Sequence, residues 1–266
     1  LALLAIITTG SMTVADDQHE WEFQLTPYLW LPTISGDLNY DMPPKGGAPS
    51  VGVGPTDWLD LLNGMFLING EMRKGRFSLF TDFVHLGLES DQDRIKSVQL
   101  GNRVHVDIDA DLNTKTEFDG VSWTLAAGYT VQESEVLSID LITGVRYFGV
   151  DASTNWQFSG DITTPNGGVV LPAQGRISKE VDLWDGIIGV RGRLMIGEGN
   201  WSVNYYADIG TGSSDLTWQA MTGLNYRYSW GDLMLVFRHI EYNEGDGGLL
   251  EDFSFSGPAF GARFGF

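Results

Sequence analysis

Hydrophobic and polar side chains alternate with a period of two along most of this chain. Between residues 201 and 209, every odd position is apolar or aromatic and most even positions are polar. After a turn at residues 210–215, the even positions from Leu216 to Tyr226 form the next, mostly apolar face. Alternation over about ten residues with a turn at each end is typical of a transmembrane β-strand, although the strands of a soluble sandwich alternate as well.

The same alternation recurs in ten segments. We therefore predict a single all-β domain, a transmembrane antiparallel up-and-down β-barrel of ten strands. Residues 104–112 also alternate but carry aspartates on one face, which predicts a strand that projects beyond the membrane into water. Near Asp119 and Gly120 the apolar residues change from even to odd positions, and we predict a β-bulge there. The alternative is a barrel of twelve strands, in which residues 95–112 form a hairpin of their own.

The connections between the predicted strands fall into two classes. Those near residues 75, 133, 198 and 231 are short, whereas those after the first, third and fifth strands are long. Short periplasmic turns and long extracellular loops distinguish the two ends of bacterial outer-membrane barrels. The pattern therefore predicts an outer-membrane barrel with both termini in the periplasm.

Aromatic side chains cluster at both ends of the predicted strands. One set falls beside the short turns and comprises Trp21, Phe77, Tyr129, Trp201, Tyr228 and Trp230. The other falls beside the long loops and comprises Tyr147, Trp184, Trp218 and Tyr242. Two belts about ten residues apart match the length of a strand that crosses a bilayer, so these residues are predicted to form aromatic girdles.

The N-terminus predicts export. Residues 1–7 are apolar and lead into small and polar residues up to Ala15, which resembles the end of a secretory signal peptide. The alternative is a buried strand or helix of the fold. We expect residues 1–15 to be a signal-peptide remnant and residues 16–266 to form the barrel domain.

Composition narrows the class of protein further. Charged residues make up only 19% of the 266-residue chain and aromatic residues 12%, a balance that suits a barrel better than a soluble enzyme. The formal net charge of −19 argues against a nucleic-acid partner, whose phosphates require a basic surface. Beyond the N-terminus there is no run of about eighteen apolar residues, which excludes a helical membrane protein. Because the chain has no cysteine, disulfides and thiolate metal sites are excluded too.

The C-terminus and three internal phrases carry a family resemblance. The last strand ends in alternating aromatic residues, Phe260, Phe264 and Phe266, and looks like the terminal signal that the barrel-assembly machinery of Gram-negative bacteria reads. The internal phrases are T-P-Y-L-W-L-P at 26–32, E-M-R-K-G-R at 71–76 and D-I-G-T-G at 208–212. Together they resemble an uncharacterised group of proteobacterial outer-membrane β-barrel proteins over nearly the whole mature chain. The resemblance implies the fold and an outer-membrane location, and it carries no activity or catalytic residues.

The predicted lumen is rich in charge. If the alternation holds, five acids and seven arginines point inward: Glu71, Arg73, Asp82, Asp140, Arg146, Asp185, Arg191, Arg193, Asp208, Arg227, Arg238 and Arg263. One interpretation is a narrow porin-like channel, or a small-solute binding or passage protein, whose arginine excess favours anions. The alternative is a structural or surface-interaction barrel whose lumen is plugged by salt-bridged side chains. A ten-stranded barrel falls between filled and open sizes, so strand number does not decide.

The sequence offers little enzymatic chemistry. His105 with Asp107, Asp109 and Asp111 is a weak candidate for a divalent cation, and a solvated acidic strand explains the same residues. Omptin proteases are also ten-stranded, but none of the predicted strands carries the Asp-x-His that their site would need. A lipid-modifying barrel would need a serine beside His85 or His239, and no such serine is evident in the sequence. We therefore expect no catalytic activity and no cofactor, and a surface hydrolase of the omptin-like or lipid-modifying kind is the third alternative. The expected partners are outer-membrane lipid, lipopolysaccharide, the assembly machinery and small solutes.

Overall fold

The computed structural model describes residues 20–37, 50–92, 111–159, 174–243 and 253–266. These ranges contain twelve strands: β1 (Glu22–Trp30), β2 (Thr33–Asp37), β3 (Ser50–Val53), β4 (Leu62–Lys74), β5 (Phe77–Gln92), β6 (Asp111–Glu133), β7 (Leu137–Ser159), β8 (Gln174–Met195), β9 (Trp201–Gly212), β10 (Leu216–Arg227), β11 (Asp232–Asn243) and β12 (Phe253–Gly265). A single helical turn, α1 (Pro55–Trp58), and a 3-10 turn (Leu59–Leu61) connect β3 to β4.

Ten of these strands close into an antiparallel barrel. The pairing runs from β1 through β4 and then in chain order to β12, which returns to pair with β1, for example through Leu25 and Phe264. β2 continues β1 beyond Pro32, a residue without a backbone N–H, and pairs with β12. β3 pairs with β2 and stands outside the ring of ten. The predicted ten-stranded antiparallel barrel is confirmed.

Successive side chains point alternately out of and into the barrel. On β9, Trp201 and Ile209 are 48% and 53% exposed on the outside, while Ser202 and Asp208 are buried inside. The outer surface therefore carries a band of exposed apolar side chains, among them Phe23, Leu25, Phe66, Phe77, Leu141, Val145, Ile188, Leu224, Leu235, Phe237 and Phe260.

The two ends of the barrel differ in their connections. At the short-turn end, tight turns join β4 to β5, β6 to β7, β8 to β9 and β10 to β11. Gly75 and Gly197 have positive φ angles of 56° and 63° there, a conformation that glycine adopts without strain. The opposite end is the long-loop end. The strands β6, β7 and β8 extend towards it and are each 22–23 residues long.

The apolar face of the strands changes sides near the long-loop end. On β7, Tyr147 faces outward, whereas the next apolar residue, Phe148, faces inward and Asp151 is exposed outside. β8 behaves alike, with Leu183 buried inside and Asp182 exposed outside. On the short-turn side of this level the outer surface of the barrel is apolar. On the long-loop side the apolar side chains point into the barrel, as they do in a water-soluble protein.

This change of side corrects one prediction. The sequence interpretation placed a β-bulge at Asp119 and Gly120, but β6 pairs with β5 and β7 through both residues without a shift in register. The prediction was wrong because the apolar residues point out of the barrel on one side of this level and into it on the other. They therefore change between odd and even positions without any extra residue in the strand. The register shift in β6 lies instead between Thr130 and Gln132.

Candidate functional site

The long-loop half of the barrel interior is filled by an apolar plug. Its buried members are Trp30, Ile34, Trp58, Leu67, Phe148, Leu183, Val236, Ile240, Tyr242, Phe253 and Ala259. The rings of Phe148 and Tyr242 stack with their centroids 4.4 Å apart. A cavity among these side chains measures about 40 Å³, which is room for a few water molecules. The plug therefore closes this half of the lumen.

The helical turn α1 contributes a buried tryptophan to the plug. The side chain of Asp57 accepts a hydrogen bond from the backbone N–H of Gly54 at 3.0 Å and so fixes the first turn. Trp58 follows with only 1% of its surface exposed, and its indole N–H donates to the carbonyl of Pro32 at 2.9 Å. The N-cap of this turn is Gly54. The alternation along the chain did not predict that the turn would place a tryptophan inside the barrel.

The short-turn half of the interior contains a polar chamber of about 480 Å³. Nine of the twelve charged residues predicted for the lumen line it: Glu71, Arg73, Asp82, Asp140, Arg191, Arg193, Arg227, Arg238 and Arg263. Its lining reaches Glu22 and Glu133 at the short-turn ends of their strands. The chamber thus extends towards this end, whereas the plug lies at the other.

One wall of the chamber is a charge-balanced network. The guanidinium of Arg191 donates to both carboxylate oxygens of Glu71, at 2.8 and 3.0 Å, and its Nε lies 3.3 Å from Asp140. Arg73 contacts the same two acids, at 3.1 Å from Glu71 and 2.5 Å from Asp140. The hydroxyl of Thr130 donates to Asp140 at 2.7 Å. Two arginines and two carboxylates compensate each other here, so this wall has no unpaired charge to offer a ligand.

A second group is not balanced. Asp232 lies 3.0 Å from Arg193, 3.4 Å from Arg227 and 3.6 Å from Arg263. Three guanidiniums around one carboxylate leave a formal excess of two positive charges. The Arg227 side chain is 54% exposed at the chamber mouth, and those of Arg193 and Arg263 are 22% and 21% exposed. We call these four residues the Asp232 cluster.

Asp232 was missed in the sequence because it follows the Trp230–Gly231 turn and was assigned to it. Asp232 occupies an even position of the same strand as Arg238, which was predicted to point inward. Its position in the alternation could therefore have placed it in the lumen. Arg238 itself marks the boundary between chamber and plug, since it lies 2.8 Å from Asp82, donates to Gln219 at 2.9 Å and stacks over Trp30.

Three predicted lumen residues do not line the chamber. The side chains of Arg146 and Asp208 are fully buried in contact with each other, and Arg146 also donates to Thr217 at 3.3 Å. Asp185 accepts hydrogen bonds from the backbone N–H and the hydroxyl of Ser214, both at 2.8 Å. Asp185 therefore fixes the tight turn between β9 and β10, and it does not face the chamber.

Most of the aromatic residues assigned to girdles lie outside the barrel. The exposed ones are Trp21, Phe77, Tyr129, Trp184, Trp201, Tyr228 and Trp230, and Tyr147 and Trp218 are partly exposed. Tyr242 departs from the prediction because its even position on β11 turns it inward, where it has no exposed surface. The C-terminal residues Phe260, Phe264 and Phe266 are exposed outside, and the backbone N–H of Phe266 donates to Phe23 at 2.9 Å.

The predicted cation site cannot be placed. His105, Asp107 and Asp109 lie outside the described residues, as does the side chain of Asp111. Among the residues that the structure describes, no three His, Asp or Glu side chains converge in a way that would hold a metal ion. None of the helices in the described ranges has the length and apolar character needed to cross a membrane.

Comparisons with known proteins bear on the fold. No family model matches the sequence, and no curated protein matches it. Among solved structures, the outer membrane protease OmpT from Escherichia coli aligns over 97% of this chain and 100% of its own, with a TM-score of 0.50 and 8% sequence identity. The translocator domain of the autotransporter NalP from Neisseria meningitidis aligns over 94% of this chain and 90% of its own, with a TM-score of 0.43 and 10% identity. The first likeness shows that the chain has the closed antiparallel barrel fold seen in outer-membrane proteins.

Proposed function

We propose that the protein is an outer-membrane β-barrel of a Gram-negative bacterium and that its arginine-lined chamber binds small anionic solutes. The barrel would belong to the proteobacterial group that its sequence resembles, with the short-turn end in the periplasm. The observation that carries the proposal is the division of the interior into a closed apolar half and a polar half that contains the unbalanced Asp232 cluster.

The outer surface supports the location. A soluble barrel would not expose Phe66, Leu141, Ile188 and Phe237 together, because a band of large apolar side chains on the surface favours lipid over water. The loss of this band beyond Tyr147, where outward residues become polar, gives it a boundary on the long-loop side. Assembly machinery and lipopolysaccharide are the partners that such a location would bring.

The charges of the chamber support an anionic ligand. Each carboxylate of the balanced wall is already held by two arginines. Among the described residues, Arg193, Arg227 and Arg263 form their ion pairs with the single carboxylate of Asp232. Guanidinium groups bind carboxylates and phosphates through paired hydrogen bonds, and a partly desolvated position strengthens such contacts. An anion at the Asp232 cluster would complete its charge balance.

The plug favours binding over free diffusion. A solute in the chamber meets Trp58 and the stacked rings of Phe148 and Tyr242 before it reaches the long-loop end. The porin-like channel predicted from the sequence would require these side chains to move. The second candidate is a structural barrel that binds no solute, and the closure of the lumen by the plug favours this candidate as well.

Calorimetric titration of the folded, detergent-solubilised protein with inorganic phosphate tests the proposal. We expect binding by the wild-type protein and about tenfold weaker binding by Arg227→Gln and Arg263→Gln, since each change removes a charge-assisted hydrogen bond. Lys74→Gln is the matched control, because Lys74 also lies at the short-turn end but packs outside the barrel against Trp21. Absence of binding, or equal losses in the Lys74 and arginine variants, would leave the plugged structural barrel as the better account.

A further inference from the structure

Three chemically reactive side chains meet on the outside of the barrel. His239 on β11 and Ser256 on β12 are direct cross-strand neighbours, and His239 Nδ1 lies 2.5 Å from Ser256 Oγ. Glu241, two residues further along β11 on the same face, places its Oε2 3.4 Å from His239 Nε2. This arrangement corrects the sequence interpretation, which found no serine beside His239 because the two residues are seventeen positions apart.

The group lies at the upper boundary of the apolar band. Along β11 the outward residues are Leu233, Leu235 and Phe237, and then His239 and Glu241. Along β12 they change from Phe260 and Pro258 to Ser256 and Ser254 in the same direction. The indole of Trp218 packs against the imidazole of His239, with 4.4 Å between ring centroids. In the membrane location proposed above, the three side chains would lie at the level at which the acyl esters of a lipid meet its polar head group.

We propose that Ser256, His239 and Glu241 form an acyl-ester hydrolase site that acts on lipids of the surrounding leaflet. A hydroxyl, an imidazole and a carboxylate in series are the groups that activate a serine nucleophile, and unrelated folds have converged on that series. The proposal depends on the membrane location given above but not on the anion chamber. It opposes the expectation from the sequence that the barrel has no catalytic activity.

Each residue has a distinct role in the reaction. Ser256 Oγ attacks the carbonyl carbon of the ester while His239 Nδ1 takes the hydroxyl proton. The tetrahedral intermediate collapses, the bond to the lipid alcohol breaks, and His239 returns the proton to that leaving oxygen. Water, again deprotonated by His239, then cleaves the acyl-serine, so that a fatty acid leaves and the Ser256 hydroxyl is restored. Glu241 is a positioning residue that stabilises the charged imidazolium in both steps.

The partial burial of the group suits this chemistry. The side chain of His239 is 23% exposed and that of Glu241 is 29% exposed, so a lipid ester can approach while much of the bulk water is kept away. Within the described part of the chain, His239 Nε2 is buried and makes no hydrogen bond of good geometry, although Glu241 lies beside it. A small rotation of Glu241 would complete that contact when the imidazole gains a proton.

Release of fatty acid is the direct test. The folded wild-type protein in mixed micelles is given a diacyl phospholipid in one arm and purified lipopolysaccharide in the other, and the arm that releases fatty acid identifies the lipid. We expect Ser256→Ala and His239→Asn to lower the rate by about a hundredfold or more. Ser254→Ala is the matched control, because Ser254 faces outward one step along β12 and lies opposite Glu241. A fluorophosphonate probe should label the wild-type and Ser254→Ala proteins but not Ser256→Ala.

Glu241 needs a separate readout. Glu241→Gln should lower kcat with little change in KM, and Glu241→Asp should recover part of the loss because it restores the negative charge. Every variant is first checked for the heat-dependent electrophoretic shift of a folded barrel. Absence of fatty-acid release from both lipids, or release that persists in Ser256→Ala, would overturn the proposal. Phosphate titration of the same preparation reports on the anion chamber independently, and flotation with vesicles reports on membrane insertion.

Discussion

The buried pair of Arg146 and Asp208 shows what single residues contribute to this barrel. Both side chains are fully enclosed between the chamber and the plug, and Thr124 and Thr217 each accept a further hydrogen bond from the guanidinium of Arg146. Two charges withdrawn from water are tolerated only when each is compensated. The pair therefore acts as a cross-brace between β7 and β9.

Removal of one partner should be costly. Asp208→Ala leaves the Arg146 guanidinium buried without its counter-charge, and we expect the free energy of unfolding to fall by about 3–5 kcal/mol. Urea titration of the protein in detergent micelles measures this change. Asp119→Ala is the control, since Asp119 forms a comparable contact with His85 at 3.1 Å but is 59% exposed outside. Equal effects of the two substitutions would contradict the bracing role.

The sequence could predict where such residues point but not what they contact. Parity placed Arg146, Arg191 and Asp208 inside correctly, because a strand has only two faces. Partners such as Arg191 and Glu71 are 120 residues apart, and their meeting depends on barrel closure and strand tilt. Ser256 was missed for the same reason, since it acquires its role from His239 on the neighbouring strand.

At the scale of the elements, alternation predicted the ten crossings and the side of most residues. It predicted neither the 22–23-residue length of β6, β7 and β8 nor the plug. Both depend on the level at which the apolar side chains change from the outside of the barrel to the inside. In the sequence this change keeps the period of two and looks the same as a β-bulge. The inward position of Tyr242 follows from the same change, because its aromatic character alone suggested a girdle.

Close approach of strands gives a prediction at this scale. A Cβ at Gly144 on β7 would overlap the carbonyl oxygen of Leu125 and the backbone of Ala126 on β6. We expect Gly144→Ala to lower the free energy of unfolding by about 1–3 kcal/mol through overpacking. A Cβ at Gly64 would meet no atom within 4 Å, so Gly64→Ala is the matched control in the same urea titration. A destabilisation of similar size at Gly64 would contradict strand contact as the cause.

At the scale of the whole molecule, three regions are stacked along the barrel axis. The arginine-rich chamber lies at the short-turn end, the apolar plug follows, and the polar outer surface of β6, β7 and β8 extends past the boundary of the apolar band. The candidate hydrolase site lies on the outside at that boundary. The strong negative charge of the chain, −19 in total, does not prevent an arginine-rich interior, because the barrel separates its inner surface from the rest.

Planar-bilayer recording tests most directly whether the plug closes the lumen. We expect the wild-type protein to insert without a steady current. The double variant Trp58→Ala, Tyr242→Ala should conduct in steps and prefer anions, because it removes two large side chains above the arginine-rich chamber. The double variant Tyr228→Ala, Trp230→Ala, which loses two aromatic rings outside the barrel, should stay silent. A stable open current through the wild-type protein, or a plug variant as silent as the wild type, would contradict the account.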